Sequence, residues 1–440
     1  MDIKKNDFDK HQSNQNVILN VTPSEVEITS KKDLYNNSIN KQSREKEFFY
    51  IKIIIVIVYF AICIALEQIY RESLFDKSIE IQEDIRNDHD KESAFYDFWK
   101  FMTNFGEAKI IFPIFAVIFL FFPINSSFLT LQVLIYAIYL TNFFKIIYRQ
   151  GRPYWESDKL DKVCNSGYGN PSGHSMTCAA YYLSLSHIVT NFDFFRKTML
   201  GKILRVIIFC LLCILGCLVI ISRFILSAHS INQLLFGFTL GIGIYFVCIF
   251  ILSYHVYDPN DFIIHITSSL VITIYMIFHI VILSLLIIFY FALDEKEKLK
   301  YNIYNNIFNG ERCKLKKKYL MIKHIGFFEG LAVTALIGAH LGIILLILLL
   351  KKNNYVINGE ITQFNQSSVK RWLLRLPILL VSGIFILLYF LIPGSSALSV
   401  IFIFKSAISF LLTTLGIYFV GIFLSIKCNL ANENISKLNG

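Results

Sequence analysis

The chain contains about ten long apolar runs separated by short polar segments. Most of these runs reach the ~20 residues that an α-helix needs to cross the hydrocarbon core of a bilayer. A helix satisfies its backbone hydrogen bonds within a single run, which lipid requires of any spanning segment. The runs cover roughly residues 48–66, 110–122, 127–147, 172–190, 203–221, 230–252, 262–293, 325–350, 372–392 and 397–426. The pattern predicts an all-α fold, a polytopic membrane bundle.

The composition excludes a soluble globule. Hydrophobic residues make up 55% of the chain and charged residues 17%, whereas soluble domains average about 45–50% and about 25%. The formal net charge is +10, but the basic residues form short clusters between the apolar runs. Such clusters are typical of membrane orientation, so we expect the lipid bilayer as a partner and no nucleic acid.

The runs divide the chain into three parts. Residues 1–47 are rich in Asn, Lys, Ser and Asp and contain no apolar run, which predicts a disordered cytosolic tail. Residues 48–252 hold the first six predicted helices. Residues 253–440 hold about four more, as a C-terminal transmembrane extension.

Charge predicts the orientation of the first helices. Lys and Arg remain on the cytosolic side in short loops, and five of them lie shortly before the first run, whereas residues 71–107 hold ten acidic and five basic residues. The amino terminus is therefore expected in the cytosol and residues 71–107 on the opposite side. Lys314 and Lys316–Lys318 disagree with this alternation, so the topology after Leu252 is the least determined.

Three polar clusters interrupt the apolar pattern. Because helix four leads away from one membrane face and helix five returns to it, all three clusters are expected at the same face. The clusters are Lys145 with Arg152 and Pro153; Pro171, Ser172, Gly173 and His174; and Ser222, Arg223, His229 and Gln233.

These residue types suit a phosphate group. Arg152 and Arg223 can each grip phosphate oxygens with two N–H groups, and Lys145 adds a point charge. Ser172 is expected to cap helix four, with Gly173 behind it, so that backbone N–H groups and the positive end of the helix dipole face the anion. Of the two histidines, one can attack phosphorus while the other transfers protons.

The three clusters resemble the signature motifs of the type 2 phosphatidic acid phosphatase superfamily, which is related to the vanadium haloperoxidases. The matching segments are Lys145–Pro153 (KIIYRQGRP), Pro171–His174 (PSGH) and Ser222–His229 (SRFILSAH). The resemblance implies a six-helix phosphatase core over residues 48–252, with its site on the non-cytosolic face. It further implies His229 as the nucleophile, His174 as the acid/base, and Lys145, Arg152, Ser172, Gly173 and Arg223 as phosphate ligands, without metal or cofactor.

One position departs from the commoner family pattern. Many members have Asp four residues after the nucleophile, where this chain has Gln233. The glucose-6-phosphatase and dolichyl-diphosphatase branches are similar in having Gln there. Arg152–Trp155 and Cys164–Met176 also resemble glucose-6-phosphatase. On a helix, His229 and Gln233 share one face, so we expect the Gln oxygen to accept a hydrogen bond from Nδ1 of His229.

These patterns leave three functional hypotheses. The first is a metal-independent phosphomonoesterase acting on a lipid phosphate, because the pocket is expected near the headgroup layer. The second is a sugar phosphatase similar to glucose-6-phosphatase. The third is a non-catalytic phosphate-binding receptor or transporter. The expected location is the endoplasmic reticulum or the plasma membrane.

Overall fold

The computed structural model describes residues 23–89, 93–121, 124–157, 159–160, 168–190 and 193–252, and beyond them only short segments, chiefly 355–361, 408–421 and 433–437. The chain divides into two units, Met1–Ile54 and Ile55–Gly440. Most of the predicted runs at 262–293, 325–350, 372–392 and 397–426 lies outside the described residues. Their helices remain predictions.

Six helices correspond to the first six apolar runs, which confirms the helical fold class over this part of the chain. They are α1 (Pro23–Asp88), α3 (Ala108–Phe121), α4 (Ile124–Tyr148), α6 (Gly173–Thr190), α8 (Met199–Ile225) and α9 (Ile231–Phe246). The short helices between them are α2 (Ala94–Thr103), α5 (Pro153–Glu156) and α7 (Asp193–Lys197). A 3₁₀ turn at Asn104–Gly106 joins α2 to α3, and a π-helical turn at Val247–Leu252 continues α9.

Helix α1 begins earlier than the sequence suggests. It includes residues 23–47, which the composition assigns to a disordered tail. This segment starts with Pro, which is favoured in the first helical turn, and contains no Gly. Nothing local therefore ends the helix before the apolar run that follows.

Length and apolar composition select three helices in the described residues that can cross a membrane: Ile51–Asp88, Met199–Ile225 and Ile231–Ile249. The bent pair Ala94–Gly106 and Lys109–Ile118 forms a fourth if it is a single span. Helix α8 exposes large apolar side chains such as Met199, Leu200 and Val206. Exposed apolar side chains along a long helix are what contact with lipid requires, and the protein is an integral membrane protein.

Helix α6 lies at the centre of the packing, against α4, α8 and α9. Its contact with α9 depends on two glycines one helical turn apart. A Cβ on Gly237 would lie 2.5 Å from the carbonyl oxygen of Ser172, and one on Gly241 would lie 2.5 Å from that of Met176. Small residues at this spacing let two membrane helices approach backbone to backbone. This close approach fixes the first turn of α6 against the first turns of α9.

Beyond the core, the described residues include α10 (Ser409–Leu415), a following π-helical turn at Gly416–Gly421, and two strands. Strands β1 (Tyr355–Ile361) and β2 (Glu433–Lys437) pair antiparallel, with Tyr355 opposite Lys437 and an irregularity between Asn358 and Ile361. The all-α prediction does not include this small sheet, because neither segment carries a strong alternating pattern. It does not change the helical class of the core.

Candidate active site

The structure brings the three polar clusters together at one end of the helices. Lys145 lies in the last turn of α4 and Arg223 in the last turn of α8. Arg152 directly precedes α5, and His229 lies in the turn before α9. The same turn contains Ser227, whose φ of 53° lies in the left-handed region, uncommon for a residue with a Cβ.

The proton on His229 is fixed by its neighbours. Nδ1 lies 3.0 Å from the carbonyl oxygen of Gly169 and 3.2 Å from Oε1 of Gln233, and both of these atoms can only accept. Nε2 lies 3.2 Å from Nη1 of Arg152, and a guanidinium can only donate. The proton therefore sits on Nδ1, and the lone pair of Nε2 faces the arginine.

The surroundings of His229 keep its imidazole neutral. The side chain is buried, and the positive charges of Arg152, Arg223 and Lys145 act on it. Burial and these cations hold the pKa of His229 well below its usual value, because both disfavour a second positive charge. A neutral imidazole with an unprotonated Nε2 is a competent nucleophile.

Two of the predicted site residues have a buried nitrogen without a hydrogen-bond partner among the described residues. These nitrogens are Nε of Arg223 and Nε2 of His174. Nη1 of Arg223 donates to Oγ1 of Thr103, 2.9 Å away. Buried polar groups are normally paired, so the two orphaned nitrogens are available to a bound anion. A phosphate beside Nε2 of His229 would supply acceptors to both.

Ser172 and Gly173 form the start of α6. Oγ of Ser172 accepts from the backbone N–H of Ser175 over 3.4 Å, as the expected N-cap does, and its own N–H donates to the carbonyl of Gln233 over 2.9 Å. A Cβ on Gly173 would lie 3.2 Å from Cγ2 of Thr141. Glycine therefore lets this helix terminus approach α4.

Gln233 is held on both sides of its amide. Oε1 accepts from Nδ1 of His229 and, at 3.4 Å, from the N–H of Ser230. Nε2 donates to the carbonyl of Gly151 at 2.7 Å. A side chain at Gly169 would overlap the Gln233 amide. The amide thus joins the third cluster to the first, a connection that an acceptor-only carboxylate could not make.

Several residues at the site were not singled out from the sequence. Thr103 on α2 binds Arg223, and Gln82 on α1 donates to the carbonyl of His229 at 2.9 Å. The carbonyl of Gly169 is the shortest contact of Nδ1, and a backbone atom carries no side-chain signal. Thr103 and Gln82 lie in residues 71–107, between two predicted helices, where nothing in the sequence marks them as site residues. Within the described residues, no three His, Cys, Asp or Glu side chains are grouped as a metal would need.

Comparison with known proteins confirms the resemblance read from the motifs. Residues 127–257 match the family model described as PAP2 superfamily. Glucose-6-phosphatase 2 from Homo sapiens is 30% identical over 169 residues, covering 33% of this chain and 46% of that protein. The Mus musculus protein of the same name is 27% identical over 178 residues, covering 36% and 47%. The chain thus spans about half the length of these curated relatives.

The chain is also similar to a solved structure. It is the transmembrane PAP2 type phosphatidylglycerolphosphate phosphatase from Bacillus subtilis, with 20% sequence identity and a TM-score of 0.39. The alignment covers 45% of this chain and 96% of the bacterial protein.

Proposed function

We propose that this integral membrane protein, which matches the PAP2 superfamily over residues 127–257, is a phosphatase that hydrolyses a phosphomonoester through a phosphohistidine on His229. The observation that carries the proposal is the environment of His229. Its proton is held on Nδ1, and its unprotonated Nε2 faces Arg152. Orphaned nitrogens of Arg223 and His174 complete the anion site.

The reaction has two steps. Nε2 of His229 attacks phosphorus and the bond from phosphorus to the ester oxygen breaks. His174, which holds a proton while the phosphate dianion is bound beside it, gives that proton to the leaving alkoxide. Neutral His174 then takes a proton from water, whose oxygen attacks phosphorus while the P–N bond breaks. Orthophosphate leaves, His229 is neutral again and His174 is protonated again.

Charge stabilisation comes from the three cations of the site. Arg152 and Arg223 can donate in bidentate fashion to the phosphoryl oxygens, and Lys145 adds its charge, so we propose a metal-independent reaction. A chelator should then leave activity unchanged, and vanadate should inhibit as a five-coordinate mimic of the transferring group. Inhibition by a chelator that added Mg²⁺ reverses would contradict this assignment.

Two substrate classes remain under this proposal. The location of the site at helix ends favours a phosphorylated lipid, whereas the similarity to proteins named glucose-6-phosphatase 2 favours a sugar phosphate. We give the sugar phosphate the greater weight, because Arg152–Trp155 and Cys164–Met176 also resemble glucose-6-phosphatase. The site would lie on the non-cytosolic face of the endoplasmic reticulum or plasma membrane.

The test is orthophosphate release by purified protein from glucose 6-phosphate, sphingosine 1-phosphate and phosphatidate. His229→Ala should abolish release from every substrate, while His187→Ala, a control on α6 remote from the site, should not. Orthophosphate release that persists in His229→Ala would contradict the mechanism. No release from any ester by wild-type protein that still binds orthophosphate would instead support the non-catalytic phosphate-binding receptor or transporter.

A further inference from the structure

A fully buried carboxylate lies behind the site, on a helix that carries none of the motif residues. Glu67 belongs to α1, at the end of its apolar run. Its Oε1 accepts hydrogen bonds from Nδ2 of Asn170 at 2.5 Å and from Nδ2 of Asn232 at 3.3 Å. A buried ionisable group in a membrane helix is costly, and such groups usually have a function.

Asn170 links this carboxylate to His229. It directly follows Gly169, whose carbonyl oxygen is the closest acceptor of Nδ1 of His229. Asn170 is itself fully buried, so its amide is held by Glu67 and not by solvent. Fixing the Asn170 side chain therefore fixes the direction of the preceding carbonyl.

Asn232 provides a second link. It directly precedes Gln233, the other acceptor of Nδ1. Nδ2 of Asn232 also donates to Oε1 of Gln150 at 2.8 Å, and that oxygen accepts from Nε2 of Gln233 at 3.4 Å. One carboxylate thus holds the residues next to both acceptors of the His229 proton.

We propose that Glu67 is a positioning residue that orients the nucleophile, by anchoring Asn170 and Asn232 so that the Gly169 carbonyl and the Gln233 amide face Nδ1 of His229. The proposal rests on the phosphatase function proposed above. Glu67 does not contact the phosphate site, and it acts on kcat through the orientation of the imidazole. Helix α1 thereby becomes part of the catalytic unit, although the motifs begin only at Lys145.

The test compares two substitutions of Glu67, one that removes the oxygen acceptor and one that keeps it. Glu67→Leu removes the oxygen that Asn170 and Asn232 share, so kcat should fall about 10- to 100-fold while KM changes less than about threefold. Glu67→Gln keeps an oxygen at the same position and should retain most of the wild-type kcat. Glu72→Leu, at an exposed carboxylate on the same helix, is the matched control and should be silent.

A double-mutant cycle with Asn170→Ala separates positioning from general loss of structure. Asn170→Ala removes one of the two donors and keeps Glu67, so it should lower kcat by no more than Glu67→Leu does. The double variant should be no worse than Glu67→Leu alone. If Glu67→Leu does not fold, the cycle uses Glu67→Gln, with the double variant matching Asn170→Ala.

The outcomes distinguish the two proposals. Wild-type protein that releases no orthophosphate from any ester removes the proposed function and this inference with it. Active wild-type protein with an unchanged kcat in Glu67→Leu overturns the inference alone. The same follows if losses in Glu67→Leu and Asn170→Ala multiply, or if Glu67→Gln is as impaired as Glu67→Leu.

Discussion

Nη1 of Arg152 lies 3.2 Å from Nε2 of His229 and 2.9 Å from the carbonyl oxygen of Ala228. One guanidinium nitrogen thus touches both the nucleophilic atom and the backbone one residue before it. The guanidinium therefore lies beside Nε2, at a position where it could also contact an oxygen of a bound phosphate. A phosphate oxygen that accepts this N–H in place of Nε2 would free the lone pair of Nε2 and bring phosphorus next to it.

Arg152→Lys should therefore be severely impaired, although the charge is kept. A lysine ammonium cannot hold the Ala228 carbonyl and offer a second planar N–H to phosphate. Loss of one charge-assisted hydrogen bond, worth about 1.5–3 kcal/mol, predicts a fall in kcat/KM of about 10- to 150-fold. Steady-state kinetics would show it, with exposed Arg196→Lys as the control. Wild-type kinetics in Arg152→Lys would contradict a bidentate role.

His174→Ala should separate the two chemical steps. Its ring lies against Gly106, where a Cβ would approach Cδ2 to 2.8 Å, so the small residue leaves room for the imidazole. An ester with a good leaving group needs no protonation, but the phosphohistidine still needs an activated water. Labelled phosphate from p-nitrophenyl phosphate should accumulate on His174→Ala protein. Label on a protein that also lacks His229 would rule out this intermediate.

The acid limb of the pH profile should lie below pH 6.5. Protonated His229 cannot attack, and its pKa is lowered by burial and by Arg152, Arg223 and Lys145. The limb of kcat/KM, which reports the free enzyme, is therefore displaced to lower pH. Lys145→Gln removes one cation, raises the pKa of His229 and should move the limb to higher pH. With the same ester for both proteins, its own ionisation cancels, and an unmoved limb would mean that another group sets it.

The hydrogen bonds of Gln233 predict which of two substitutions at this position lowers kcat more. Gln233→Leu leaves the Gly169 carbonyl on Nδ1, so a loss in kcat of about tenfold is expected, near the value of one neutral hydrogen bond. In the wild type, Nε2 of Gln233 donates to the Gly151 carbonyl at 2.7 Å. In Gln233→Glu, a carboxylate oxygen would face this carbonyl in place of the N–H. We expect Gln233→Glu to lose more than Gln233→Leu. A fully active Gln233→Glu enzyme would show that the amide donor is dispensable.

Cysteine labelling should show that Lys159 and Lys197 lie on opposite sides of the membrane. Lys159 and Lys197 are both exposed, and the charge pattern assigns Lys159 to the site face and Lys197 to the cytosolic face. On a Cys-depleted background, Lys159→Cys and Lys197→Cys should react with an impermeant thiol reagent from opposite sides of sealed vesicles. Labelling of both from one side would refute the predicted orientation.

Much of the core was predictable because its signals are local. Apolar runs give six helices, and their alternation across the bilayer brings Arg152, His174 and His229 to one end. The supporting contacts were not predictable in the same way. Glu67 is a single acid at the end of an apolar run, and its partner Asn170 lies far along the chain. The shortest acceptor of Nδ1 is a backbone carbonyl, which any residue at position 169 would possess.

The contact of Gly237 with Ser172 also dictates when in biosynthesis the site can exist. The N–H of Ser172 donates to the carbonyl of Gln233, and the carbonyl of Ser172 lies against Gly237. A nascent chain in which α9 has not yet been synthesised already contains Lys145, Arg152 and His174. It lacks the helix against which the first turn of α6 packs. The anion site therefore forms only after α9 has been made, and a chain stalled before residue 237 would reside in the bilayer without it.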